Sequence, residues 1–110
     1  MSAIDISECT KLKTFNCSGN ELTRLDVSPN VALQTLDCSN NKISKLSFTN
    51  NTSLDNINCS NNKLTDVDVR NGIVEIRSFD CSKNKDLEFV YFSEGCRILE
   101  DKRDAKTYFK

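Results

Sequence analysis

Residues 33–48 read Leu33-Gln-Thr-Leu36-Asp-Cys38-Ser-Asn-Asn41-Lys-Ile43-Ser-Lys-Leu46-Ser-Phe48 and carry the same pattern twice. Leu36 and Cys38 alternate with Thr35, Asp37 and Ser39, the period of a strand with one buried face. Leu46 and Phe48 repeat that alternation ten residues later. The first half recurs as Leu12-Lys-Thr-Phe15-Asn-Cys17-Ser-Gly-Asn20, as Leu54-Asp-Asn-Ile57-Asn-Cys59-Ser-Asn-Asn62, and as Ile76-Arg-Ser-Phe79-Asp-Cys81-Ser-Lys-Asn84. The cysteines are 21, 21 and 22 residues apart. The second half recurs as Leu22/Leu25/Val27, Leu64/Val67/Val69 and Leu87/Val90/Phe92, and Ile4/Ile6 match its last two positions. A fixed period of this length marks a stack of like units.

One short strand per unit implies a parallel sheet. The roughly eleven residues left in each unit do not accommodate a three-turn helix once the turns are subtracted, so extended segments are expected on the opposite side. A single coil buries too little apolar surface to offset the entropy of ordering its backbone, so stability must come from neighbours. Asparagine, 13 of 110 residues, has a specific place in this scheme. In the column Asn20, Asn41, Asn62 and Asn84, an inward amide offers donors and an acceptor to backbone groups that lose water where the chain turns.

The pattern L-x-x-L-x-C-x-x-N-x-L resembles the leucine-rich repeat, with Cys where Leu is usual. The 21-residue length and the cysteine column are most similar to the short cysteine-ladder repeats of bacterial internalin-type surface proteins. The resemblance implies a leucine-rich repeat solenoid: a right-handed coil with a parallel concave sheet and extended segments on the convex side. It divides the chain into a half-coil at 1–11, four repeats at 12–32, 33–53, 54–75 and 76–92, and a C-terminal cap or tail at 93–110. It also implies recognition of another protein, with carbohydrate the less favoured ligand. The alternative is a structural spacer, or a self-associating segment of a longer surface protein.

Composition narrows the function. With 15 Lys+Arg against 16 Asp+Glu, the net charge of -1 gives no general attraction to nucleic acid or to an anionic membrane. No apolar run is long enough to enter a membrane. Histidine, the commonest general base and metal ligand, is absent. Asp37 and Asp80 fall two coils apart, about 9.6 Å, near the carboxylate separation of inverting glycosidases. An open polar sheet has nothing to exclude water or raise one pKa, so no enzyme is expected. The N-terminus lacks the basic and apolar regions of an export signal, so the chain is expected either to stay inside the cell or to have been trimmed.

The six cysteines invite a disulfide framework, but periodicity argues against it. Cys17, Cys38, Cys59 and Cys81 form a column whose Cβ atoms run parallel about 4.8 Å apart, beyond the usual disulfide spacing. A row of four cannot converge on one metal ion. They are expected to be free, small apolar side chains, with Cys9 and Cys96 outside the column. Neither metal nor cofactor is expected. The sequons at Asn16, Asn50, Asn51 and Asn58 follow from an Asn/Ser/Thr-rich repeat.

Two candidate surfaces remain. The outward positions of the cysteine strands form columns containing Thr14, Thr35, Asn56 and Ser78, then Asn16, Asp37, Asn58 and Asp80, with Arg77 beside them as the one side chain of a type that anchors protein interfaces. By resemblance this is the concave, ligand-facing side. The fourth unit places Phe89 and Tyr91 outward, where earlier units carry Lys45/Ser47 and Asp66/Asp68, unless the tail covers them. In the tail, Ile98, Lys102, Ala105 and Phe109 have the spacing of a short amphipathic helix, whereas the repeat frame puts Asp101 and Arg103 at core positions and so is expected to break. At the other end, Ile4 and Ile6 leave an apolar edge open to self-association.

Overall fold

The computed structural model describes residues 3–110, so Met1 and Ser2 of the expected N-terminal half-coil lie outside the described residues. Among the described residues nine strands are present: β1 (Thr14–Asn16), β2 (Thr35–Asp37), β3 (Lys45–Ser47), β4 (Asn56–Asn58), β5 (Asp66–Val69), β6 (Glu75–Asp80), β7 (Phe89–Phe92), β8 (Arg97–Lys102) and β9 (Tyr108–Phe109). They form two parallel sheets, one of order β1-β2-β4-β6-β8 and one of order β3-β5-β7-β9. The chain passes back and forth between them, and the result is a β-solenoid with no helix among the described residues. The convex-side segments are therefore extended, as the length of the unit requires.

Register follows the repeat. Thr35 pairs with Thr14 and Asn56, Leu36 with Phe15 and Ile57, and Asp37 with Asn16 and Asn58, so like positions stack on like. The core lies between the sheets and is made of the two apolar series: Leu36, Ile57, Phe79 and the cysteines from one side, and Leu46, Val67, Val69 and Val90 from the other. Ile6 is buried at the N-terminal end, and the half-buried Ile4 packs against the core.

The asparagine column holds coils to each other. Asn41 Nδ2 donates to the carbonyls of Cys38 and Ser39 in its own coil and of Cys17 in the preceding one, at 3.0–3.1 Å, while its Oδ1 accepts from Leu22 N. Asn62 and Asn84 repeat these contacts one and two coils on. The residue before each column member is left-handed: Gly19, Asn40, Asn61 and Lys83 have φ of 73°, 56°, 53° and 59°. Gly and Asn accept this region most readily, which explains the Gly-Asn and Asn-Asn pairs.

A second ladder lies at the opposite turn, and the sequence did not announce it. Asn30 Nδ2 donates to Ile6 O and Cys9 O, Asn51 Nδ2 to Val27 O and Asn30 O, and Asn71 Nδ2 to Phe48 O and Asn51 O, all at 2.9–3.1 Å. Asn51, a sequon by sequence, is wholly buried in this ladder.

The tail departs from expectation. Residues 93–110 form no amphipathic helix, and they close the stack as a fifth coil, with β8 on β6 and β9 on β7. The register Ile76↔Ile98 and Phe79↔Asp101 shows that the repeat frame continues where it was expected to break. Physically, β6 and β7 offer ready-made rows of backbone partners, whereas a short helix must carry its own nucleation cost. The charged residues at core positions are accommodated by pairing within the coil. Asp101 pairs with Arg103 at 3.2 Å, and the Arg103 guanidinium lies 4.0 Å from the Phe109 ring centroid. Asp104 substitutes for the missing asparagine, accepting from Lys83 N and Asn84 N.

Candidate functional site

The first sheet brings the predicted concave-face residues together. Its outward columns are Thr14, Thr35, Asn56, Ser78 and Glu100, and Asn16, Asp37, Asn58, Asp80 and Lys102. Much of their hydrogen-bonding capacity is already used. The Oδ1 atoms of Asn16, Asp37, Asn58 and Asp80 each accept from the backbone N and the Oγ of the serine two residues on, at 2.6–3.1 Å. These Asx turns lead the chain out of each strand. Arg77 is held as well, 3.5 Å from the Asp55 carboxylate. Glu100, Lys102 and the exposed Leu99 add to this sheet from the fifth coil.

The second sheet differs. Its outward columns run Lys45, Asp66, Phe89, Tyr108 and Ser47, Asp68, Tyr91, so charge and hydroxyl give way to rings at the C-terminal end. The Phe89 ring centroid is 6.3 Å from that of Tyr108 and 6.5 Å from that of Tyr91. The tail covers the predicted patch only in part: Phe89 and Tyr91 are half-buried, and strand β9 lies beside Phe89 and adds the exposed Tyr108. Lys110 Nζ is 4.4 Å from the Phe89 ring centroid and Arg70 Cζ 5.2 Å from that of Tyr91, within cation–π range. Arg70 is fixed by a two-point contact with Asp68 at 2.9–3.0 Å, and its hydrogen bond holds the Asp68 carboxyl below the usual carboxylate range. Asp26, at the other end of the same face, is lowered by hydrogen bonds from Ser28. An open groove of about 450 Å³ runs between these ends, past Lys45, Ser47 and Asp66.

Sequence reasoning missed Tyr108, Arg70 and Lys110. Aligning Asp104 with Asn84 sets Tyr108 against Glu88, one residue from its actual partner Phe89, and the fifth unit is short and carries charge at two core positions, so its rings could not be placed by counting.

The cysteine column offers little chemistry. All six thiols are free. Burial, then the Asp37 carboxylate, pushes Cys17 up to about 11. Burial and the neighbouring Asp101 and Asp80 push Cys81 up to about 12. Cys38 and Cys59, deepest in the stack, are raised well above the thiol range by burial first and by adjacent thiols second. Among the described residues, no three His, Cys, Asp or Glu side chains are grouped to ligate a metal ion, and no helix is long and apolar enough to cross a membrane.

The family profile described as Leucine Rich repeats (2 copies) matches residues 10–51 and 31–72. No curated protein matches the chain. Among solved structures, the functional domain of InlJ from Listeria monocytogenes, described as including a cysteine ladder, matches 94% of this chain at 28% identity with a TM-score of 0.57. The chain spans 29% of the length of that structure's chain. Solenoids of this kind are generally binding scaffolds without catalysis, usually for other proteins. With its family profile spread over more than half of its length and its thiols stacked coil on coil, the chain belongs to the leucine-rich repeat family, in the internalin-like, cysteine-ladder form found in bacteria.

Proposed function

We propose that this chain is a non-enzymatic module that recognises another protein, and that the contact is made on the second sheet at Phe89, Tyr91 and Tyr108, flanked by Arg70 and Lys110. The observation that supports this is the concentration of three adjacent rings on a face where the preceding coils carry Lys45, Asp66, Ser47 and Asp68. Tyr and Arg are the residue types that dominate protein hot spots, and ring contacts cost little conformational entropy. The first-sheet columns are the weaker candidate because their Asn and Asp oxygens are engaged in turns. That same engagement favours a second reading, a structural spacer with no ligand. Carbohydrate is the less favoured ligand.

A photo-cross-linking amino acid at position 108, compared with one at position 56, tests the reading. The expected result is a protein adduct at 108. Titration of that partner should then show at least tenfold weaker binding to Tyr91→Ala/Tyr108→Ala and unchanged binding to Asn56→Ala. Loss of binding in Asn56→Ala alone would move the site to the first sheet, and a chain with no adduct at either position would be a spacer.

A further inference from the structure

Asn71-Gly72 is the one asparagine-glycine pair in the chain, and it lies in the second ladder. Gly72 is exposed, left-handed at φ 83°, and nothing lies within 4 Å of where its Cβ would be. Gly72 carries no side chain of its own to hinder approach of its nitrogen to the Asn71 side chain. Asn71 is half-buried: Nδ2 donates to Phe48 O at 3.0 Å and Asn51 O at 3.1 Å, and Oδ1 accepts from Ile73 N at 3.1 Å. The Gly72 N–H donates to Ser93 Oγ at 2.8 Å, a residue of the following coil. The potential nucleophile and the potential electrophile are thus adjacent in sequence, and each is tied by separate hydrogen bonds.

We infer that Asn71-Gly72 is a self-modification site, a slow deamidation switch whose rate is restrained by the Ser93 hydroxyl. Local opening of the turn frees the Gly72 nitrogen, and water or hydroxide takes its proton. The nitrogen attacks Asn71 Cγ, the new C–N bond closes a five-membered imide, and the Cγ–Nδ2 bond breaks to release ammonia. Water then opens the imide at either carbonyl, leaving aspartate or a β-linked isoaspartate and one additional negative charge. The product has no Nδ2 to donate, so a carboxylate faces the carbonyl oxygens of Phe48 and Asn51, and the ladder loses the step that ties this turn to the preceding coil. Arg70, the cation beside Tyr91, is the adjacent residue, so the conversion also places a charge at the margin of the aromatic patch.

The test uses the full chain at pH 8 and 37 °C, followed by intact mass for the 1 Da gain and by peptide mapping for isoaspartate at position 71. Ser93→Ala removes the acceptor, Ser93→Thr keeps a hydroxyl, and an unstructured peptide of residues 66–76 supplies the unrestrained rate. The expected order is peptide, then Ser93→Ala, then wild type, with Ser93→Thr close to wild type. The gap between Ser93→Ala and wild type should be about fivefold, the factor one net hydrogen bond supplies. Melting curves confirm that each variant is folded at 37 °C, and Asn61 in the same digest reports any general loosening. A silent position 71 in every folded variant after the peptide has converted would overturn the site. Equal rates in wild type and Ser93→Ala, or an equal acceleration at Asn61, would overturn the restraint.

Discussion

The second and fifth coils follow the same path with opposite interiors. In the second, Leu36, Cys38 and Asn41 face inward and are buried; in the fifth, the corresponding positions hold Asp101, Arg103 and, two residues early, Asp104. An interior coil needs apolar side chains because it has a neighbour on both sides. In the fifth coil the strands satisfy the coil before it, while Asp101 and Arg103 satisfy each other. Backbone register therefore propagates further along the chain than the side-chain motif does.

The largest effect that would sharpen this contrast is alkaline unfolding. The four thiols of the column, Cys17, Cys38, Cys59 and Cys81, belong to the first four coils, and burial holds all of them above the ordinary thiol value near 9, with Cys17 at about 11 and Cys81 at about 12. A raised pKa means that the folded form retains protons that the unfolded form has released, so stability is full below about pH 9 and falls as pH rises through 11 and 12. Denaturant midpoints from pH 7 to 11 in reducing buffer should show this fall, and a flat profile would mean that the thiols are not buried. Next is Phe79→Ala, at the junction of the fourth and fifth coils, where Phe79 meets Phe92 and Phe109 edge-on at centroid distances of 5.4 and 5.7 Å. Its loss should cost about 3–5 kcal/mol in urea unfolding.

Smaller effects distinguish the two ladder chemistries. Asn62→Ala leaves buried carbonyls without donors and should cost about 1–3 kcal/mol. Asp104→Ala should cost less than half as much by the same measurement, because Lys83 N, one of the two donors it satisfies, belongs to an exposed residue. The smallest is Asp101→Asn, which breaks a partly exposed pair and should shift unfolding by less than about 1 kcal/mol. A cost as large as that of Phe79→Ala would mean that the terminal coil depends on its inward charges, and the contrast would fail.

What was legible in the sequence followed from residue types with a single use. Leu, Ile and Cys at fixed intervals can only serve a shared interior, and the asparagine after each cysteine strand needs a turn to serve. The second ladder was harder to read because its members, Asn30, Asn51 and Asn71, sit in differing contexts, one beside a proline, one inside a sequon and one before a glycine. The fifth coil was misread because Glu100 to Asp104 has the composition of a solvated helix, while the interaction that decides its conformation is pairing with residues about 22 positions earlier. The candidate site was half legible: Phe89 and Tyr91 stood out against their columns, whereas Tyr108 needed the fifth coil and Arg70 needed the geometry of its contact with Asp68.

The two asparagine ladders have a mechanical consequence. Their bonds, like those of both sheets, run from coil to coil, so they lie along the axis on which tension between the two ends of the stack would act. Under a pulling force, the coils with a neighbour on one side would detach before those with two. Each detachment would pay out about 70 Å of slack for its 21 or so residues, so the stack would yield in steps as an extensible tether with a unit length written in its repeat.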